Sequence, residues 1–349
     1  MPSGFEVNAP AVVKLFGEHV VMHGKPSVAA AINLFAKASV SENTSDKLKI
    51  ILSDLGLEAE FSLQELKQLY YLYSNNESIQ NFIETSSVKK EILPYAAIAS
   101  RLVEKFDAEV LGKTISVSSE IKMQRGLASS AACSVAFALA LAKSSNLELA
   151  DDSLIDIARD GDRIIHKNKN AGNIDVTTSF YGGVVVLDSK GIKKAEMKEE
   201  PKLMLIDTGP KKSTAETVRN VTELYETNPA KACFLADNIE ACALRGLEAL
   251  RTGDIEDLGK AMYENQKFLN KFGVSSTGLE KGVELSKEFG LFGAKLTGGG
   301  GGGILIAIPG KNTNISEFGF AAKSMGFEIT DCKITKKGAK NYYKTKVIA

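Results

Sequence analysis

Histidine and cysteine are scarce in this chain, and neither sign of charge prevails. Only three histidines occur in 349 residues, and none pairs with a cysteine at ligand spacing, so a zinc site is not expected. The four cysteines, Cys133, Cys233, Cys242 and Cys332, are scattered, with no CxxC and no framework spacing. They read as reduced, mostly buried thiols of a cytosolic protein. Lysine and arginine together number 43, as do aspartate and glutamate, so the basic excess of a protein that coats nucleic acid is missing. Long hydrophobic runs are missing too. The longest uncharged stretch, residues 126–142, falls short of the ~20 apolar residues that span a bilayer, and it contains several serines. Glu6 stands where a secretory signal would need an apolar run, so export is not expected and the chain is read as cytoplasmic. What is present, 44% hydrophobic and 25% charged residues, suits a globular protein with sizeable cores, long enough for about two domains.

The first third mixes strand-like segments (11–16, 35–40 and 48–52) with polar turns. Ser62 and Glu65 fit a capping box that opens a helix carrying Leu63, Leu66, Leu69 and Leu72. Residues 73–87 read as an exposed polar connection. Alternation of Ile115, Val117, Ser119, Ile121 and Met123 predicts a half-buried strand, and 129–143 a buried helix. A second helix is predicted over about 152–166, with Leu154, Ala158, Gly161 and Ile165 on one face. After a strand at 183–187, the charged stretch 188–202 is the best linker, which divides the chain into domains 1–190 and 191–349. The second half opens on a strand at 203–206. Helices are predicted from about 215, 231, 256 and 279, and then a strand–helix–strand close, which suggests helices packed on one face of a sheet.

Three segments carry unusual chemistry. In the first, residues 9–19 (APAVVKLFGEH), Lys14 lies within an apolar strand, and Glu18 and His19 follow at its end. Either Lys14 reaches solvent from an edge strand, or it has a carboxylate or phosphate partner, because burying an unpaired ammonium is costly. The second, residues 125–132 (RGLASSAA), lies between a predicted strand and helix. Its small residues allow close backbone approach to an anion at a helix N-terminus, and Ser129 and Ser130 could cap the helix, touch phosphate or ligate Mg²⁺. It is not a GxxxxGK[ST] loop. A purely structural strand–turn–helix fits it as well. The third is the six-glycine run 298–303, bordered by apolar residues on both sides, unlike a flexible linker. Ordering it is entropically costly, and a backbone nest around phosphate would offset that cost.

Asp175 has apolar and hydroxyl-bearing neighbours and no adjacent lysine, so it is a turn or capping carboxylate or a functional one. Asp162 and His166, at i and i+4, share a helix face; in isolation they read as a solvated charge and a packing residue.

Taken together, the three segments resemble the three motifs of the GHMP kinases, and within them the mevalonate kinases. KLFGEHVVMHGKPSVAAAI (14–32) is very close to that family's first motif, where galactokinases would show Arg-Val-Asn before Gly-Glu-His. Asp207-Thr208-Gly209, Asn265-Gln266, Gly273-Val274-Ser275-Ser276 and GAKLT (293–297) match as well, so the resemblance runs from about residue 9 to 308. There are departures. Ala128 and Gly299 stand where the family usually has Gly and Ala, and Asp162 where it has Glu. Met123 and Gln124 replace a Pro-Gly approach, and the stretch from His166 to Asp175 is longer than usual.

The resemblance implies an α+β, two-domain GHMP kinase fold, with a ribosomal protein S5 domain 2-like N-terminal domain and a ferredoxin-like C-terminal domain around the active site. It implies a small-molecule enzyme that uses ATP and Mg²⁺ to phosphorylate the C5 hydroxyl of mevalonate, with no nucleic-acid or membrane partner; a homodimer stays open. Another kinase of the superfamily, acting on a phosphomevalonate or a sugar, or an ATP-dependent decarboxylase of mevalonate diphosphate are the alternatives. In this reading ATP lies over Gly126, Leu127, Ala128, Ser129, Ser130, Ala131 and Ala132. Ser130 and Asp162 hold Mg²⁺, and Asp175 and Lys14 are catalytic. Glu18, His19, Thr178, Gly299 and Gly300 meet the substrate.

Overall fold

A computed structural model describes residues 3–75, 88–122, 125–166, 173–209 and 214–347. Strand β1 (Ser3–Phe16) alternates as far as Leu15: Val7, Ala9, Ala11, Val13 and Leu15 enter the main core, Val12 lies in a small cluster with Ala29, Ile174 and Val185, and Phe16, past an irregularity in the ladder, joins the main core as well. Lys14 shares the face of Val12 by the period-two rule. β1 pairs antiparallel along β2 (Ser27–Glu42). The two halves of β2 take different second partners: residues 36–42 pair with β5 (Lys113–Ser119) and residues 27–30 with β6 (Val184–Asp188).

β3 (Leu48–Leu52) and β4 (Leu57–Phe61) complete the sheet, and β3 runs parallel to β5. The helix α1 (Leu63–Ser74) starts on the expected capping box: the Glu65 amide donates to Ser62 Oγ at 3.3 Å, and the Ser62 amide donates to Glu65 Oε2 at 2.8 Å. The helix runs on through Ser74, so the expected connection at 73–87 begins two residues late, and its residues 76–87 fall outside the described residues. Helix α3 (Ser129–Ser144) covers the sheet, and α2 (Leu93–Phe106) and α4 (Asp151–His166) pack on α3 and on each other. In α3 every residue from 131 to 142 is buried, which accounts for a sequence that is apolar there except at Ser134.

The chain crosses residue 190, the expected domain boundary, within the first sheet. Gly191–Ala195 forms β7, a hairpin with β6 inside the first sheet, closed by the Lys190 amide on Asp188 Oδ1 at 2.8 Å. Lys193 and Lys194 of the charged stretch expected as a linker lie exposed on this edge strand, where lysines blunt further pairing. The chain also returns to the first sheet at its end, because β12 (Tyr343–Val347) pairs antiparallel with the start of β1.

Between these, α5 (Asn173–Tyr181) packs beside β1, and β8 (Lys202–Asp207) opens the second sheet. Helices α6 (Thr214–Thr227), α7 (Pro229–Thr252), α8 (Ile255–Lys271) and α9 (Thr277–Glu288) follow. Then come β9 (Gly293–Leu296), β10 (Ile304–Ile308), α10 (Ile315–Ser324) and β11 (Glu328–Lys333). The second sheet is antiparallel in the order β11-β8-β10-β9. The strand–helix–strand close is present as β10–α10–β11. Leu203, Leu205, Ile304 and Ile306 join the first core, while Met204, Ile206, Leu305 and Ala307 join the second, so β8 and β10 carry apolar groups on both faces. One face seats the domains against each other. Among the described residues, no helix is long and apolar enough to cross a membrane.

Candidate functional site

The three glycine- and charge-marked segments meet at the junction of the two sheets. The Val12 amide donates to the Leu127 carbonyl at 3.1 Å, which ties β1 to the loop before α3. The Lys14 amide donates to Thr297 Oγ1 at 2.8 Å, which ties β1 to the glycine run. The two glycine loops then touch each other: a Cβ on Gly126 would stand 2.9 Å from the Thr297 carbonyl oxygen, and one on Gly298 would stand 3.0 Å from Gly126 Cα. Both have positive φ, 81° and 75°, so glycine is required here by space and by backbone conformation. On its far side the run is held by Val274, whose carbonyl accepts from the Gly301 amide at 2.7 Å.

Lys14 Nζ lies 2.5 Å from Asp175 Oδ1, with the two side chains 18% and 28% exposed. The partner that the apolar strand demanded is thus a carboxylate from 161 residues away. Asp175 sits in the first turn of α5, where the helix dipole favours a negative charge. That helix is fastened to β1 by Ser179 Oγ donating to the Pro10 carbonyl at 2.7 Å and by Ile174 packing on Val12. The β1–β2 register shifts between Lys14 and Phe16, and such an irregularity re-aims the side chain beside it. The result is a partly open, charge-balanced pair facing the loops.

α3 begins without a side-chain cap, so its first amides lack an intrahelical partner. Its N-cap residue, Ala128, is left-handed, with φ 50° and ψ 40°. Alanine in that conformation costs roughly 1–2 kcal/mol. Glycine would remove the strain but return about 0.4–1 kcal/mol through a floppier unfolded chain. Ala128→Gly is therefore expected to raise the unfolding free energy by about 0.5–1 kcal/mol in urea titrations. Of the other loop residues, Leu127 is buried, and its side chain packs into the core together with those of Ala131 and Ala132. These three can offer a ligand only backbone.

Ser130 Oγ donates to Asp162 Oδ1 at 2.6 Å. The approach depends on Gly161, where a Cβ would meet Ser134 Oγ at 2.5 Å, so any larger residue would push α4 off α3. Ser130 lies one turn before Ser134 and Asp162 lies next to Gly161, so the two oxygens meet at this close crossing. Asp162 is buried. Among the described residues, no group of three or more His, Cys, Asp or Glu side chains is gathered for an ion. The side chain of His166 lies outside the described residues.

Two expected substrate residues are placed elsewhere. Thr178 is fully buried, and its hydroxyl donates to the Ile174 carbonyl at 2.6 Å, the usual back-bond of a threonine inside a helix. Glu18 is 5% exposed and paired with the fully buried Lys295, so it braces the site from behind. Burial pushes the Glu18 carboxyl up and the Lys295 ammonium down, each against the pull of the other's charge. His19, in contrast, takes φ 65° and brings Nε2 to 3.1 Å from the Gly299 carbonyl, so it does reach the glycine run. Gly300 faces Val274, whose carbonyl oxygen would lie 2.1 Å from an added Cβ.

Lys295 and Gln266 had been given no role from sequence. Gln266 accepts from the Leu296 amide at 2.9 Å and donates to Glu280 Oε1 at 2.7 Å, so it holds β9 against α8 and α9. The signal that marked Lys14, a lysine inside an apolar strand, was equally present at Lys295 in GAKL.

Two family models match the chain: the GHMP kinases N terminal domain over residues 93–183, and the GHMP kinases C terminal model over residues 247–324. A mevalonate kinase of Pyrococcus abyssi is 31% identical over 349 residues, covering 97% of this chain and 98% of that one. A mevalonate kinase of Thermococcus sibiricus is 30% identical over 340 residues, covering 95% and 96%. Among solved structures, the mevalonate kinase of Methanococcus jannaschii superposes with a TM-score of 0.80 at 26% identity, covering 95% of this chain and 98% of that one.

Proposed function

The chain belongs to the GHMP kinase family, and on that premise we propose that it transfers the γ-phosphoryl group of ATP to the C5 hydroxyl of mevalonate, giving 5-phosphomevalonate and ADP. The observation that carries this reading is the Lys14–Asp175 pair, 2.5 Å apart and partly open, beside two interlocked glycine loops and an uncapped helix N-terminus. Phosphoryl transfer needs little covalent chemistry from a protein; it needs alignment and charge neutralisation.

The triphosphate lies along residues 126–132, where the free amides at the start of α3 donate to its phosphate oxygens. Asp175 accepts the C5 hydroxyl proton, or holds that hydroxyl in line, as its oxygen approaches the γ-phosphorus. Lys14, paired with that carboxylate, meets the charge that grows on the transferred oxygens. His19, through Gly299, holds the glycine run over the acceptor.

Ser130 and Asp162 fit a divalent magnesium ion: they offer two hard oxygens 2.6 Å apart, and nucleotide phosphates and water would supply the remaining ligands. When bound, the ion would neutralise charge on the β- and γ-phosphates. Ser130→Ala and Asp162→Ala are each expected to raise the Mg²⁺ concentration at half-maximal activity, visible in Mg²⁺ titrations of the rate. An Asp162→Ala curve that overlays wild type would put the ion elsewhere.

The substrate assignment is tested by coupled ADP release over mevalonate, phosphomevalonate, mevalonate diphosphate and galactose, with CO₂ trapped in parallel. Turnover on mevalonate above the others, without CO₂, supports the reading. Preference for another acceptor, or CO₂ release, overturns it.

A further inference from the structure

Lys295 has no part in the chemistry above, yet it is one of the largest fully buried side chains in the molecule. Its ammonium is shared by three acceptors: the Glu18 carboxylate, the Leu296 carbonyl at 2.5 Å, and, at 3.5 Å, the carbonyl of Lys14 itself. Two residues along the same segment, Thr297 Oγ1 accepts the Lys14 amide. Both backbone polar groups of Lys14 are thus met by residues 295–297 of the second sheet. At this point the β1–β2 ladder is irregular: Lys14 registers with Ala29, and Phe16 already with Val28. The end of β1 is therefore positioned by the second domain at least as much as by its own sheet.

Stability alone does not call for a charged pair in such a place. Ions buried this deeply pay a desolvation cost that their attraction barely repays, and an apolar pair of similar volume would hold the domains as well or better. Among the described residues, Glu18 Oε2 finds no hydrogen-bond partner. An apolar pair, however, could not reach the Lys14 carbonyl or fix the turn that carries Glu18. Gly17 makes that turn at φ 84°, with the Pro26 carbonyl oxygen only 2.1 Å from where a Cβ would stand. We propose that Glu18 and Lys295 are a positioning pair for phosphoryl transfer. Joined across the two domains, they fix the backbone of Lys14 and so aim its ammonium at Asp175 and the transferred group. The proposal rests on the catalytic reading of Lys14 given above.

The test is the double variant Glu18→Met with Lys295→Met, which removes both charges and keeps the volume, so that neither ion is left buried alone. Thermal melting is expected to match or exceed wild type. In the full-length enzyme with ATP, Mg²⁺ and mevalonate, kcat is expected to fall about tenfold or more, while the KM for each substrate stays within about twofold; this is the pattern of a contact that matters only in the transition state. Single-turnover rates should fall in step. A double variant with wild-type kcat overturns the proposal. Glu18→Gln keeps shape and an acceptor for Lys295, and it serves as the second variant should the double one not fold. It is expected to retain intermediate kcat at unchanged KM, and an undiminished kcat in folded protein overturns the proposal equally. Lys14→Met is run beside them. If it is fully active, the catalytic reading of Lys14 is what fails. If it is inactive while the double variant is unimpaired, the positioning role alone fails.

Discussion

Asp175→Asn is expected to lower kcat by about 10²–10⁴-fold, the range for loss of a positioned base, while ATP still binds and the protein melts near the wild-type temperature. The amide preserves shape and the position on the first turn of α5 but removes charge and basicity. Its carbonyl can still accept from Lys14, 2.5 Å away in the native pair, so the local fold has little reason to change. Partial exposure of both side chains keeps the electrostatic cost of the change small, on the order of 1 kcal/mol. Nucleotide affinity measured by calorimetry and turnover measured on the same preparation separate the two effects. Near wild-type kcat in folded Asp175→Asn would remove Asp175 from the chemistry.

Lys14→Met is expected to lower kcat by at least ~10²-fold, the scale of one lost electrostatic contact to a transition state. Methionine retains much of the apolar stem, and the stem shares the face of Val12, so the sheet should tolerate it. If the lysine were only structural, the variant would be folded, active and no less stable. Circular-dichroism melting with single-turnover kinetics distinguishes these outcomes.

Much of the site was legible because its demands are local. A lysine among Val12, Val13, Leu15 and Phe16 must find a counter-charge, and it does, although the sequence left solvent as an equal alternative. The capping box at Ser62 and Glu65, and the apolar run of α3, depend only on neighbours a few residues away. What failed was non-local. The strands β7 and β12 are polar and short, and they exist because β6 and β1 offer open edges to them. No local pattern announces that. The resemblance put Thr178 at the substrate, but a helix gives a threonine the carbonyl one turn back, here that of Ile174, to bond. Glu18 looked like a ligand at a strand end; only the partner 277 residues away shows that it faces inward.

The central claim is that these residues carry the γ-phosphoryl group of ATP onto the C5 oxygen of mevalonate. Phosphorus and carbon NMR of the product mixture tests it most directly, with wild-type protein, ATP, Mg²⁺ and mevalonate in a single tube. The account predicts one new phosphomonoester coupled to C5, formed one-for-one with ADP, and a carbon skeleton left intact. Phosphate attached at another oxygen, ADP formed without any phosphorylated acid, or loss of the carboxyl carbon as CO₂ would contradict it.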